Sequence, residues 1–85
     1  MDFGSALRAL KNGATATRRG WNGAGQFVYY VPPASYPAQT DPAKERFGAM
    51  VPYRGYFALV TVQNDVAVWI PTTSDILAAD WEVEG

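Results

Sequence analysis

The apolar residues Phe3, Ala6, Leu7 and Leu10 fall at i, i+3, i+4 and i+7, with Arg8 and Lys11 outside that stripe. This is the 3.6-residue period of a helix with one buried face. Asp2 stands where an N-cap belongs, and Gly13 after Asn12 marks a usual C-terminal stop. The period then changes. Ala14 to Arg18 alternates weakly and predicts a short strand carrying Thr15, Thr17 and Arg18. Gln26 to Val31 sets Phe27, Tyr29 and Val31 against Val28 and Tyr30. Both sides are apolar, which predicts a strand interior to a sheet or covered at a subunit interface. Tyr56–Val62 and Val66–Ile70 are two further β-rich runs joined by Gln63-Asn64-Asp65, a tight hairpin. Tyr56, Ala58, Val60 and Val62 share a face, as do Val66, Val68 and Ile70, while Ala67 and Trp69 point the other way.

The chain closes through Trp69 to Trp81. Pro71 ends a strand because it fixes φ and offers no ladder N–H. Thr72, with Asp75 three positions on, has the spacing of a helix N-terminus, and Ile76, Leu77 and Ala78 extend it as helix formers with an apolar side. Asp80-Trp81-Glu82-Val83 returns to strand alternation. In between, residues 32–55 hold five of the six prolines and predict an irregular, proline-rich insertion. A helical turn after Asp41-Pro42 would carry Lys44, Glu45 and Arg46. Tyr36, Phe47, Met50 and Tyr53 make the insertion too aromatic for a disordered linker, so it is a lid or an oligomer contact. The predicted architecture is α+β, one domain over 1–85. It is a small antiparallel β-sheet with an N-terminal helix and a short C-terminal helix, in the order α-β-β-loop-β-β-α-β.

Composition narrows the function. A chain of 85 residues buries a thin core, and self-association would help it. Five tyrosines and three tryptophans exceed what a minimal core needs, and both residue types suit surfaces that meet a partner or a flat ligand. A net charge of −1 lacks the long-range signature of a duplex nucleic-acid binder. Without cysteine or histidine the chain has no disulfide framework, no thiolate metal site and not the commonest general base. Its acidic residues are scattered, so neither an enzyme nor a metal or cofactor is expected. The N-terminus has no signal-peptide pattern and no apolar run is long enough to span a membrane, which predicts a cytoplasmic protein with no membrane partner.

Candidate chemistry concentrates in Arg18-Arg19-Gly20-Trp21-Asn22-Gly23-Ala24-Gly25 and in the closing stretch. Three glycines permit positive φ and bring backbone N–H groups close to a ligand, and Asn22-Gly23 is a hairpin-turn pair. Without a ligand this is a loop between two strands with Trp21 folded over the core. With one, it is a platform. Trp21 or Trp69 can stack on a base. The loop N–H groups and the helix start at Thr72-Thr73 can take a pyrophosphate, with Arg18 or Arg19 adding charge. Asn22 can read a base edge or a ribose. Asp75, as a carboxylate, repels phosphate, and either caps its own helix or accepts from a hydroxyl or exocyclic amine. Asp80 satisfies a turn, and Trp81 is core.

Phe3-Gly-Ser-Ala-Leu, then Arg18-Arg19-Gly20-Trp21-Asn22-Gly23, then Trp69-x-Pro71…Asp75-Ile-Leu-Ala…Asp80-Trp81, taken in order, resemble the Thoeris anti-defence 2 family of small phage and prophage proteins. The resemblance covers both ends, about half the chain. Where family members often carry Ser-Gln-Thr-Asp-Leu-Leu-Ala-Glu-Asp-Trp, this chain has Thr72-Thr73-Ser74-Asp75-Ile76-Leu77-Ala78-Ala79-Asp80-Trp81. It keeps hydroxyls before Asp75 and loses an amide. The middle of the chain has no match. The resemblance implies a phage anti-defence sponge that sequesters a cyclic nucleotide-derived immune signal without cleaving it. That signal is of the glycocyclic ADP-ribose type, and some relatives also hold cyclic oligonucleotides. It further implies homo-oligomers, commonly tetramers, with pockets between protomers. On this reading Arg18, Trp21, Asn22 and Gly23 form one pocket wall, and Trp69, Thr72, Thr73 and Asp75 the other. Ile76, Leu77 and Trp81 would be the packing behind them. The alternatives are a protein-interaction or structural viral module, and a phosphodiesterase acting on the same signal.

Overall fold

In the computed structural model, which describes residues 1–85, the Asp2 carboxylate accepts from the Ser5 N–H at 2.8 Å and opens helix α1 (Phe3–Lys11). Gly13, at φ 96°, turns the chain into strand β1 (Thr15–Arg18). The remaining elements are β2 (Phe27–Val31), β3 (Ala34–Pro37), α2 (Asp41–Phe47), β4 (Met50–Tyr53), β5 (Tyr56–Val60), β6 (Val66–Trp69), α3 (Thr73–Leu77) and β7 (Trp81–Glu84).

Five strands form one antiparallel sheet in the order β6-β5-β2-β1-β7, so β2 is its centre, as its two apolar faces require. Register decides which residues share a side. Val28 pairs with Ala16 and with Leu59, Ala16 also pairs with Val83, and Leu59 also pairs with Ala67. The β7, β1 and β2 members of this row lie under α1, and Ala67 at its far end is exposed. Ala6, Leu10, Ala16, Val28 and Trp81, none more than 1% exposed, make the core there. Burying Leu10 alone contributes about 1.5–3 kcal/mol. The N-terminal ammonium and carbonyl of Met1 pair with Trp81, donating to its carbonyl at 2.8 Å and accepting from its N–H at 3.1 Å, which lashes the start of the chain to β7.

The opposite side of the sheet has no helix on it. Thr15, Thr17, Glu82 and Glu84 make one end polar, whereas the rows Phe27–Val60–Val66 and Tyr29–Ala58–Val68 make the rest apolar. Val66 and Val68 are more than half exposed.

Residues 32–55 are not the irregular insertion the prolines suggest. They build an arm in which β3 and β4 pair as a two-stranded antiparallel sheet around α2, with Tyr36 opposite Val51 and Ala34 opposite Tyr53. A two-stranded ribbon is all edge, so Pro37 and Pro52 are accommodated without breaking an interior ladder. The Tyr36 and Tyr53 rings meet edge to face at 5.7 Å. Val51 is the arm's one buried residue, and Phe47, Met50 and Tyr53 are about half exposed. The arm explains the shape: the radius of gyration is 15.1 Å, against about 12 Å for a compact chain of this length.

Candidate functional site

Two turns near the ends of β1 and β7 place the site. The Arg19 N–H donates to the Asp80 carbonyl at 3.2 Å and the Gly20 N–H to Asp80 Oδ2 at 2.9 Å. A Cβ on Gly20 would sit 2.9 Å from that oxygen, so any larger residue there would have to push the Asp80 carboxylate aside. Arg18 Nε donates to Asp80 Oδ1 at 2.9 Å and its NH1 to Asp75 Oδ1 at 3.0 Å. One guanidinium therefore ties the strand end, the loop after it and the C-terminal corner together.

That corner is the short helix α3, opened by a reciprocal capping box. The Asp75 N–H donates to Thr72 Oγ1, and Asp75 Oδ2 accepts from the Thr72 N–H at 3.0 Å. The Thr72 hydroxyl also donates to Oδ2 at 3.0 Å, and Trp21 Nε1 donates to Oδ1 at 3.3 Å. Asp75 is 6% exposed. Burial pushes its carboxyl up, but the Thr72 N–H, the Arg18 guanidinium, the Thr72 hydroxyl and the Trp21 indole outweigh it and hold it below the usual 3.8. Arg18 and the Gly20 N–H hold Asp80 below the same value, and Asp80 followed by Asp75 raises Arg18 above its own.

Aromatic rings complete the site. Trp81 is enclosed, with ring centroids 5.5 Å from Phe3, 5.4 Å from Trp21 and 5.9 Å from Trp69, and its Nε1 donates to the Asp75 carbonyl at 2.8 Å. Trp21 meets Trp69 edge-on at 6.3 Å. Trp69 differs from the other two. Its indole N–H donates to no protein group, yet no buried side-chain nitrogen lacks a partner, so that N–H opens to solvent. The amides of Asn22 to Gly25 likewise reach no protein acceptor.

The structure thus brings Arg18, Trp21, Trp69, Thr72 and Asp75 into one connected cluster, with Asn22 and Thr73 exposed beside it. Gly23 is placed differently from its reading as part of a hairpin pair. Neither Asn22 nor Gly23 has positive φ; Gly25 does, at 77°, in a loop spanning 19–26. At Gly23 the space a Cβ would take is filled by Gln26 Oε1 and Val62, so this glycine serves packing. Ile76 and Leu77 are not packing: they are 48% and 78% exposed, because a five-residue helix buries one side and Asp75 occupies it. Phe3 is the aromatic member that sequence reasoning did not place at the site, and its position on the α1 stripe was the available signal. One open cleft, edged by Thr15, Thr17, Gln26 and Glu82, takes in Gly23 and Gly25 of the loop, and so places Gly23 there and not in the tryptophan cluster; a second is edged by Tyr36, Tyr53, Arg54 and Val68. Neither includes Trp21 or Trp69, so the cluster is an open wall within one protomer. No group of three acidic side chains converges as metal ligands would, and no helix is long and apolar enough to cross a membrane.

Residues 1–84 match the family model described as the Thoeris anti-defense 2-like domain. The chain is also similar to Thoeris anti-defense 2 of Bacillus phage SP01, with 34% identity over 86 aligned positions that cover 98% of this chain and 93% of that protein.

Proposed function

The chain belongs to the Thoeris anti-defense 2-like family, and from that premise we propose that it is a phage anti-defence protein that captures a cyclic nucleotide-derived immune signal, of the glycocyclic ADP-ribose type, in the host cytoplasm and holds it without cleavage. The observation that carries this reading is the tryptophan wall. Trp69 keeps a free indole N–H and stands edge-on to Trp21; Trp81 braces both, and the Arg18–Asp75 pair holds Trp21. A flat base stacked on such a wall gains about 1–3 kcal/mol. The free amides of Asn22 to Gly25 and the Asn22 side chain offer donors for ribose and phosphate oxygens.

Binding without chemistry is supported by the acids. Asp75 and Asp80 are the carboxylates at the site, both bonded to Arg18 and both held below the usual carboxylate value. Such groups are poor proton carriers near neutral pH, where a general base or acid is effective when its pKa is close to the working pH.

In this proposal the wall is closed by further copies of the chain, as a homo-oligomer of the tetramer kind with pockets between protomers. Support comes from the open apolar side of the sheet and from the arm, whose Tyr36, Phe47, Met50 and Tyr53 are exposed. Contiguous apolar surface of this kind marks association sites.

The test is capture. Protein is incubated with glycocyclic ADP-ribose, freed of unbound ligand by gel filtration and denatured, and the released molecule is weighed by mass spectrometry. Intact ligand is expected, and Trp21→Ala or Asn22→Ala should abolish capture while the oligomer persists. Breakdown products would instead identify a phosphodiesterase. A second reading, a viral protein-interaction module, is favoured by the same exposed arm, and would be supported if no cyclic nucleotide raised the melting temperature.

A further inference from the structure

Asp75 has no acceptor capacity left for a ligand. A carboxylate offers about four lone-pair directions on its two oxygens. Oδ1 accepts from Arg18 NH1 at 3.0 Å and Trp21 Nε1 at 3.3 Å, and Oδ2 accepts from the Thr72 N–H and hydroxyl, both at 3.0 Å. The residue is 6% exposed. A ligand hydroxyl or amine would have to displace one of these partners to reach it. Meanwhile the sole hydrogen bond on the Trp21 side chain is the one to Asp75, and it is the contact that fixes where the indole N–H points.

We infer that Asp75 is a positioning residue, which sets the attitude of the Trp21 indole that receives the base and does not itself touch the ligand. This rests on the reading of Trp21 as a base platform. The physical requirement is an anion with two acceptor faces. Asparagine at this position would turn its NH2 either toward the Arg18 and Trp21 donors or toward the Thr72 N–H, and donor would face donor in both orientations. In the first orientation Trp21 loses its anchor outright; in the second the amide oxygen still faces Trp21, but the Thr72 N–H that holds the side chain in place is left facing a donor and the anchor loosens, so a base would have to order the ring on binding.

A double-mutant cycle separates positioning from contact. With glycocyclic ADP-ribose as probe, Asp75→Asn and Trp21→Phe, which keeps an aromatic ring but removes the N–H, should each weaken binding about tenfold. The double variant should bind within about threefold of Trp21→Phe, because Asp75 acts through the bond already removed. Losses that multiply to about a hundredfold would mean direct contact and overturn the inference, as would Asp75→Asn binding like the parent. A ligand-free readout accompanies the cycle. In protein carrying 5-fluorotryptophan, the 19F line assigned to Trp21 should shift or broaden in Asp75→Asn, while the Trp69 line should not. An unchanged Trp21 line overturns the inference even if the parent captures nothing, an outcome that would by itself sink only the sponge reading. Should Asp75→Asn not fold, Thr72→Val removes one anchor of Oδ2 and should produce the same line change with a smaller loss of binding.

Discussion

Trp81 and Trp69 have the same side chain 5.9 Å apart, and the proposed function gives them opposite duties. Replacing each by phenylalanine tests that division. In Trp81→Phe the Asp75 carbonyl loses its 2.8 Å donor and retains the Ala78 N–H at 3.4 Å, a loss of about 1–2 kcal/mol at a buried position. The vacated ring space, among Phe3, Trp21 and Leu10, adds about 1–2 kcal/mol. The sum is about 2–4 kcal/mol, taken from a total that for a domain of this size is about 4–13 kcal/mol. At a urea m-value of about 1–2 kcal/mol/M, the unfolding midpoint should fall by about 1–4 M with the slope unchanged. Trp69→Phe breaks no hydrogen bond and trims a partly buried ring, so it should cost less than Trp81→Phe, about 1 kcal/mol. Its effect should appear in capture of glycocyclic ADP-ribose, through the lost indole N–H and the smaller stacking surface. Equal midpoints for the two variants would refute the division between brace and contact. So would a Trp69→Phe variant that is strongly destabilised yet binds like the parent.

Other outcomes follow from the same geometry. Asp75 and Asp80 are held low in the fold, so their contribution is complete above the unfolded value of about 4 and is lost as pH falls through the lower folded values. Arg18→Gln removes the shared cation, and its acid-unfolding midpoint by circular dichroism should move to higher pH; an unmoved midpoint would show the pairs contribute nothing. Thr72→Ala deletes the α3 cap and should cost about 1 kcal/mol in urea denaturation, with no loss meaning that tertiary packing alone holds the helix. Val68→Asp, on the open side of the sheet, should leave the monomer fold intact and lower the mass seen by light scattering. An unchanged mass would remove that surface from the proposed assembly.

Much of this fold is written locally. The α1 stripe, the alternation around Val28 and the Thr72–Asp75 spacing each depend on neighbours within a few residues, and each formed the element its period predicts. The failures have causes of their own. Asn22-Gly23 has the composition of a tight turn, but Asp80 seizes the Arg19 and Gly20 amides and spreads the reversal over 19–26. By contrast Asn64, with no such competitor, takes φ 64° in its hairpin. Prolines disguised the arm, since proline is hostile to interior strands and tolerable in a ribbon with none. At the site, the sequence presents Arg18 as a free cation for phosphate. Its two carboxylate partners lie 57 and 62 positions away, a pairing no local pattern announces. Trp69 and Trp81 differ in their N–H partners, the Asp75 carbonyl six positions earlier for Trp81 and no protein group for Trp69, a difference that residue type alone does not carry.

The adjacency of β1 and β7 has a consequence for synthesis. Arg18 meets Asp80 across 62 residues of chain, and at about 5–20 residues per second the ribosome needs about 3–12 s to make the partner after making the strand that awaits it. Until then the β1 edge lacks its neighbour, α1 lacks Trp81 beneath it, and Trp21 lacks both carboxylate and brace. A growing chain therefore holds no partial version of the wall. A chain that stops before Asp75 leaves the Trp21 indole without its acceptor and the core without Trp81, so the proposed capture waits on synthesis of residues 75–81.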